Sequence, residues 1–355
     1  MSWMSPWIEG IGILDSAPAW VLAALSLIVI YIFIVVPCAA LISYLDRKLT
    51  ADFQARVGPN QAGPAGIFQP LVDGLKLLQK QPRDPVSWRE AAWLSVHTMA
   101  LYSTVAVLPL GSAVLLVDTD MSAFLPFWSA LVLALGTMLL GFSQSGVPGW
   151  FGGIRVAAQT LAGAFPALIA LLCSGVAAGG FRWSLLAAAQ GTSPLQWTAF
   201  ANPFQFLAFA VFVVSGLVTL GIPPMDAPFS STDTHGGVSS GLWGRRYILF
   251  RLGRFYGFFL WSVIAVTIFL GAWSLPFGGS DYLREQGYLR LLQTLELLWL
   301  LLKTLLLMIL VIWAARVNPR TRVDQVTDFA WTVLSPFALL ALIGASVVVA
   351  WGYFQ

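Results

Sequence analysis

Eight separate stretches of this chain are long and apolar enough to cross a lipid bilayer, and no other feature restricts its fold so much. A helix needs about 20 apolar residues to span the hydrocarbon core. The stretches run roughly over residues 17–44, 96–117, 124–143, 156–178, 203–221, 247–273, 292–315 and 329–353. In lipid each segment must close its own backbone hydrogen bonds, so helices are expected rather than strands. The expected fold is an all-α integral membrane protein of about eight transmembrane helices, forming a single membrane domain over residues 1–355. Pro109 and Pro166 fall inside two of the spans and can kink them. Composition agrees. The chain is 58% hydrophobic and 10% charged, where soluble domains carry about 25% charged residues. Its sixteen Trp suit the membrane interface.

The basic residues alternate between loops. Connections 46–95, 144–155, 222–254 and 316–328 hold fifteen of the nineteen Lys and Arg. Connections 118–123, 179–202 and 274–291 hold three, and Lys303 lies within a helix. Positive charge collects on the cytoplasmic side. The long basic loops, with 222–246 as the third, are therefore expected in the cytoplasm and both termini on the opposite side. Basic residues committed to topology leave nothing for nucleic acid, despite a net charge of +3. The first basic residue is Arg47, so no secretory signal with a basic start is expected. Residues 5–13, near Trp3 and Trp7, read as a short helix lying at the interface.

Metal and redox chemistry find few candidate ligands. Cys38 and Cys173 both sit in apolar runs and read as buried thiols. His97 and His235 are isolated. No metal site, iron–sulfur site or catalytic residue is expected in this chain, and no cofactor of its own.

The first basic loop contains LDRKLTADFQARVGPNQAGPAGIFQPLVDGLKLLQKQ from Leu45 to Gln81. Asp46, Arg47 and Lys48 end the first helix, and Gly58-Pro59-Asn60 and Gly63-Pro64 mark turns. Ile67, Leu71, Leu75 and Leu78 then share one face of an amphipathic helix, with Asp73, Lys76 and Lys80 on others. Such a helix lies along the membrane surface. The last basic loop reads WAARVNPRTRVDQVTDFAWTVLSP from Trp313 to Pro336.

These two tracts resemble the quinone-chamber membrane subunit of respiratory complex I and of related NADH:quinone oxidoreductase-type assemblies. The Arg-Val-Gly-Pro-Asn run and the later Gly-Pro, Gln-Pro and Asp-Gly pairs match its first loop. Trp313, Arg316, Pro319, Arg320, Arg322, Asp324 and Gln325 match its last loop, and Arg155, Ala158 and Gln159 fit a third tract. The resemblance implies a component that is not catalytic alone. It would form the entrance of a quinone site shared with partner subunits, and link the redox arm to a proton-translocating membrane arm. The implied partners are iron–sulfur and quinone-module subunits, small membrane subunits, antiporter-like subunits and lipid. The implied location is a bacterial inner membrane. Arg47, Arg56, Arg316 and Arg322 match family positions near that entrance, with Asp73 and Lys76 on the surface helix beside it. Arg155, Gln159, Asp226 and Asp324 complete the implied entrance or interface set.

The match fails at acids. Where the family has glutamates, this chain has Asp46, Gln81, Ala164, Phe229 and Ser239, and either Arg251 or Arg254. Buried acids pass protons through tunable protonation, which Ala and Phe cannot do and Arg does not do at relevant pH. The scaffold is therefore expected intact and its proton connection weakened or rerouted. Arg251 and Arg254 share a helical face, where snorkelling to the interface and a functional role are both open. Glu296 and Lys303 lie seven residues apart in one span. Glu296 reads as interfacial, and Lys303 as meeting a partner's carboxylate or an ion path. Two other functions stay open. One is the anchor of a membrane-bound hydrogenase or ferredoxin-linked complex. The other is an independent transporter, against which the lack of internal repeats argues.

Overall fold

The computed structural model describes residues 31–81, 87–112, 115, 117–144, 146–230 and 235–353, together with 25, 28 and 29. The interfacial helix expected at residues 5–13 and the first part of the first span, residues 17–24, lie outside the described residues. Every regular element among the described residues is helical.

A π turn at Tyr31–Val35 leads into α1, Val36–Phe53. The surface helix α2 is Gln69–Gln79, and α3 is Trp88–Val107. Then come α4, Leu125–Ser143, α5, Val147–Ala178, and α6, Pro203–Leu220. The sixth expected span is α7, Arg245–Phe269, and the seventh is α8, Leu289–Val317. The chain ends in α9, Val323–Phe329, a π turn at Ala330–Leu334, and α10, Ser335–Tyr353. Six helices among the described residues are long and apolar enough to cross a membrane.

Several boundaries differ from the expectation, and prolines account for some of them. The second helix runs Trp88–Val107 instead of 96–117, so Pro109 lies beyond it. Proline lacks the N–H that would continue the helix and disfavours helical geometry in the residue before it. α5 starts nine residues early, with Pro148 in its first turn, where a missing N–H costs nothing. Most of the 144–155 connection is therefore helical, and Arg155 stands on a helix. The 316–328 loop shrinks because α9 occupies its second half. Pro37 and Pro336 each follow a π turn at the second position of an α-helix. The wider turn accommodates the missing donor. α7 stops at Phe269 rather than 273, and α1 runs on to Phe53, so Asp46, Arg47 and Lys48 lie within the first helix instead of ending it.

α7 is the axis of the molecule. Every residue from Tyr256 to Phe269 is buried, as expected of a helix that is apolar on all sides. It packs against α1, α3, α6 and α8, and α2 lies across its N-terminal end. α5 forms a second centre against α4, α6 and α10. Its buried face is mostly Gly and Ala, including Gly149, Gly152, Gly153, Ala162, Gly163 and Ala167. Small residues let helix backbones approach closely where lipid supplies no hydrophobic drive between helices.

Candidate functional site: two adjacent cavities at the N-terminal end of α7

The helix crossings leave two cavities with a common wall. The first, about 370 Å³, lies between α1, α2 and α7. Its lining is mostly aliphatic, with Val36, Ala39, Leu71, Leu75 and Leu252, and its polar groups are Ser43, Arg47 and Asp73. The second, about 300 Å³, lies between α1, α7, α8 and the 222–226 turn. It is more polar, lined by Asp46, Asp226, Ser239, Tyr247, Arg251 and Arg254 among others. Arg251 and Phe255 line both. An apolar compartment under the surface helix and a polar chamber therefore lie side by side, with Arg251 and Phe255 in the wall between them.

Three ion pairs frame the two cavities. Arg47 donates to Asp73 at 2.6 Å and ties α1 to α2. Gln69 donates to the other Asp73 oxygen at 3.0 Å. Burial raises the Asp73 pKa, but these bonds and the Arg47 charge outweigh it and leave the carboxyl below its usual range. Arg316 donates to Asp46, joining the end of α8 to α1. Arg320 grips Asp226 with two donors, the Nε–Oδ1 distance being 2.6 Å. The 222–226 turn is also held by Gln159, which donates to the Met225 carbonyl, and by Thr321, whose N–H donates to Pro224 at 3.1 Å.

Both chamber carboxylates are thus taken up by arginines of the last loop. Arg251 and Arg254 have no carboxylate within ion-pair distance among the described residues. Arg254 donates to the Gly221 carbonyl at 2.8 Å and sits 4.0 Å over the Phe229 ring. Arg251 donates to Ser43 at 3.3 Å and lies over Phe255. The snorkelling expectation is corrected here. Both side chains point inward, because α7 is enclosed by other helices and gives them no interface to reach. Phe229, at a position where the resemblance has a glutamate, lies under the Arg254 cation.

The sequence-predicted residues divide. Arg47, Asp73 and Asp226 line the cavities, Arg316 reaches the chamber through Asp46, and Gln159 supports its turn. Lys76 faces outward from α2, and Arg56 is exposed, donating to Gln54 at 2.7 Å. Arg155 is half-buried on α5 one turn before Gln159 and lines neither cavity. Arg322 and Asp324 are exposed at the start of α9, where Gln325 accepts from the Arg322 N–H at 3.0 Å. An acid in the first turn complements the helix dipole. Sequence reasoning left Tyr247 and Arg320 out of the site. Two arginines three apart in an apolar helix were the signal for Arg251 and Arg254.

Glu296 is 2% exposed, and Ser112 donates to it. Lys303 donates to the carbonyls of Leu270 at 2.7 Å and Ala272 at 2.5 Å, with the Trp197 ring 4.9 Å away. Its ammonium caps the last carbonyls of α7, which places that charge on the chain's own backbone.

An α-helical membrane scaffold with a surface helix roofing a pair of cavities is the class of protein defined here. The family model for NADH dehydrogenase matches residues 25–346, and the chain belongs to that family. It is 29% identical over 337 residues to the H subunit of NADH-quinone oxidoreductase from Anaeromyxobacter dehalogenans (strain 2CP-C), covering 91% of this chain and 81% of that one. It is 28% identical over 343 residues to the protein of the same description from Paramagnetospirillum magneticum (strain ATCC 700264 / AMB-1), covering 95% and 96%. The fold superposes with a TM-score of 0.77, at 20% identity, on a chain of the membrane-bound sulfane sulfur reductase, an archaeal respiratory membrane complex. That match covers 90% of this chain and 100% of the other.

Proposed function

We propose that the two cavities are the entry route and receiving chamber for a quinone, in a complex I-like membrane oxidoreductase whose redox centres belong to partner subunits. One observation carries this reading: an apolar compartment and a polar chamber lie side by side and share Arg251 and Phe255. A ligand with an aliphatic tail and a polar ring fits that pairing, since such sites are mostly apolar with a few groups that aim the head. Guanidinium N–H groups donate to carbonyl oxygens and keep their charge at any working pH. Arg251 would meet the ring at the partition, and Arg254 would meet it in the chamber. The chain supplies walls, donors and an anchored roof. It transfers no electrons itself. The long loops face the cytoplasm of a bacterial inner membrane, where iron–sulfur and quinone-module subunits dock, while antiporter-like and small membrane subunits flank the helices.

Purification in mild detergent followed by mass spectrometry tests the partners. Iron–sulfur quinone-module and antiporter-like subunits are expected. A nickel–iron hydrogenase pair would shift the reading to a quinone-free anchor, and a solitary chain that moves a solute in liposomes would replace it with a transporter. In the assembled complex, Arg251→Leu is expected to raise KM for quinone with assembly intact. An unchanged KM removes Arg251 from the route.

A further inference from the structure

A third, smaller space lies beside the chamber, enclosed by α3, α4, α5, α6 and α7. It measures about 40 Å³. His97 of α3 is 0% exposed and Gln159 of α5 is 1% exposed, and both line it with Arg254. The His97 ring approaches the Leu133 backbone, but neither ring nitrogen meets a partner at good hydrogen-bond geometry, and neither do Gln159 Oε1 and Arg254 Nε. Thr137, Thr160 and Thr219 add hydroxyl oxygens to the same wall. The imidazole has room because residue 253 is glycine; a Cβ there would stand 2.4 Å from His97 Nε2.

Buried polar atoms without partners each cost about 1–3 kcal/mol, so three side chains turning such atoms into one space need an occupant. A water needs about 10–15 Å³ of such volume and two or more polar partners, so the space has room for about two or three. Arg254 lines both this space and the central chamber.

We propose that this space is a hydrated side-chamber in which His97 is a proton-carrying residue exchanging with the central chamber. The assignment rests on reading that chamber as a quinone site. His97 takes a proton from chamber water at one ring nitrogen and becomes a cation. It returns to neutral by releasing a proton from the other, and no electron moves. Among the described residues, α4 faces it with Leu133, Ala134 and Thr137, α5 with Val156, Gln159 and Thr160, and α6 with Val218 and Thr219. None of these titrates. α7 contributes Arg254, whose charge is fixed, and Phe250, whose ring centroid is 6.0 Å from that of His97. Asp226, held by Arg320, stands on the chamber side, and Glu90, earlier on α3, is held by Arg246 at 2.7 Å. The mobile charge of this space is therefore the proton on His97.

The test uses the assembled complex in proteoliposomes. His97→Asn keeps a polar group for the waters but cannot titrate, and His97→Glu restores a titratable one. The expected result is quinone reduction in both, with fewer protons moved per electron in His97→Asn and recovery in His97→Glu. A His97→Asn complex with the wild-type proton count and pH profile overturns the assignment and leaves the quinone reading intact. A wild-type complex that reduces no quinone defeats the quinone reading by itself. Independently of any variant, an experimental map of the wild-type assembly that shows waters elsewhere must show them against His97 and Gln159; a dry space overturns the proposal.

Discussion

Gly152→Ala tests how the chamber is held in shape. Gly152 lies on α5 where that helix meets the turn 236–241. A Cβ there would stand 2.5 Å from the Val238 nitrogen and 2.9 Å from the Gly237 carbonyl carbon, where ordinary contact begins at 3.4 Å. The obstacle is backbone, so the turn must retreat by about 0.9 Å. Gln144 pins that turn, donating to the Val238 carbonyl and accepting from the Gly241 N–H at 3.1 Å. Overpacking costs about 1–3 kcal/mol, the two bonds about 1 kcal/mol each, and the helix regains about 1 kcal/mol from alanine. The net is a loss of about 3 kcal/mol, or about a hundredfold in the folded ratio. Ser239 lines the chamber, so the shift also reaches the site. A displacement near 1 Å lowers turnover by about ten- to a hundredfold. The assay is quinone reductase activity of the detergent-solubilised assembly, before and after graded heating. Gly146→Ala is the control, since its Cβ meets only Pro148 Cδ, at 3.5 Å. Equal heat stability and activity in the two variants would refute the reasoning.

Two further outcomes follow from the electrostatics. The Asp73 carboxyl is held below its usual range in the folded protein, so its tie to α1 is fully present above about pH 4 and weakens as pH falls through the folded value. Protection of the α2 amides, measured relative to the intrinsic exchange rate at each pH, should therefore fall in acid, whereas Asp73→Asn should show low protection already at neutral pH with no further acid loss; an acid loss that persists in the variant removes Asp73 as its cause. Carboxylates restored by Ala164→Glu and Phe229→Glu should raise the protons moved per electron only when Arg254 is also neutralised, because the guanidinium 4.0 Å from the Phe229 ring would otherwise pair with the new acid. A rise with Arg254 intact, or none with Arg254 changed, contradicts this.

The sequence and the structure divide the molecule along the range of the forces involved. Membrane class, helical fold and the amphipathic α2 were legible in the chain, because each depends on a run of about 20 residues or on a local period. The loop motifs likewise showed the family before any coordinate. Helix ends were misplaced where proline decided them, at Pro109, Pro148 and Pro336, since hydropathy does not register a missing N–H. The site was only partly legible. Arg47 and Asp73 could be named but not paired, being 26 residues apart, and Asp46 meets Arg316 across 270. Arg251 and Arg254 could be placed on one face of α7, yet whether that face met lipid or a chamber depended on which helices enclose it. His97 read as an isolated histidine until α4, α5 and α7 closed around it and left its ring nitrogens facing a polar space. Periodicity along one helix says which side chains point together; only the packing of the other helices decides what they point at.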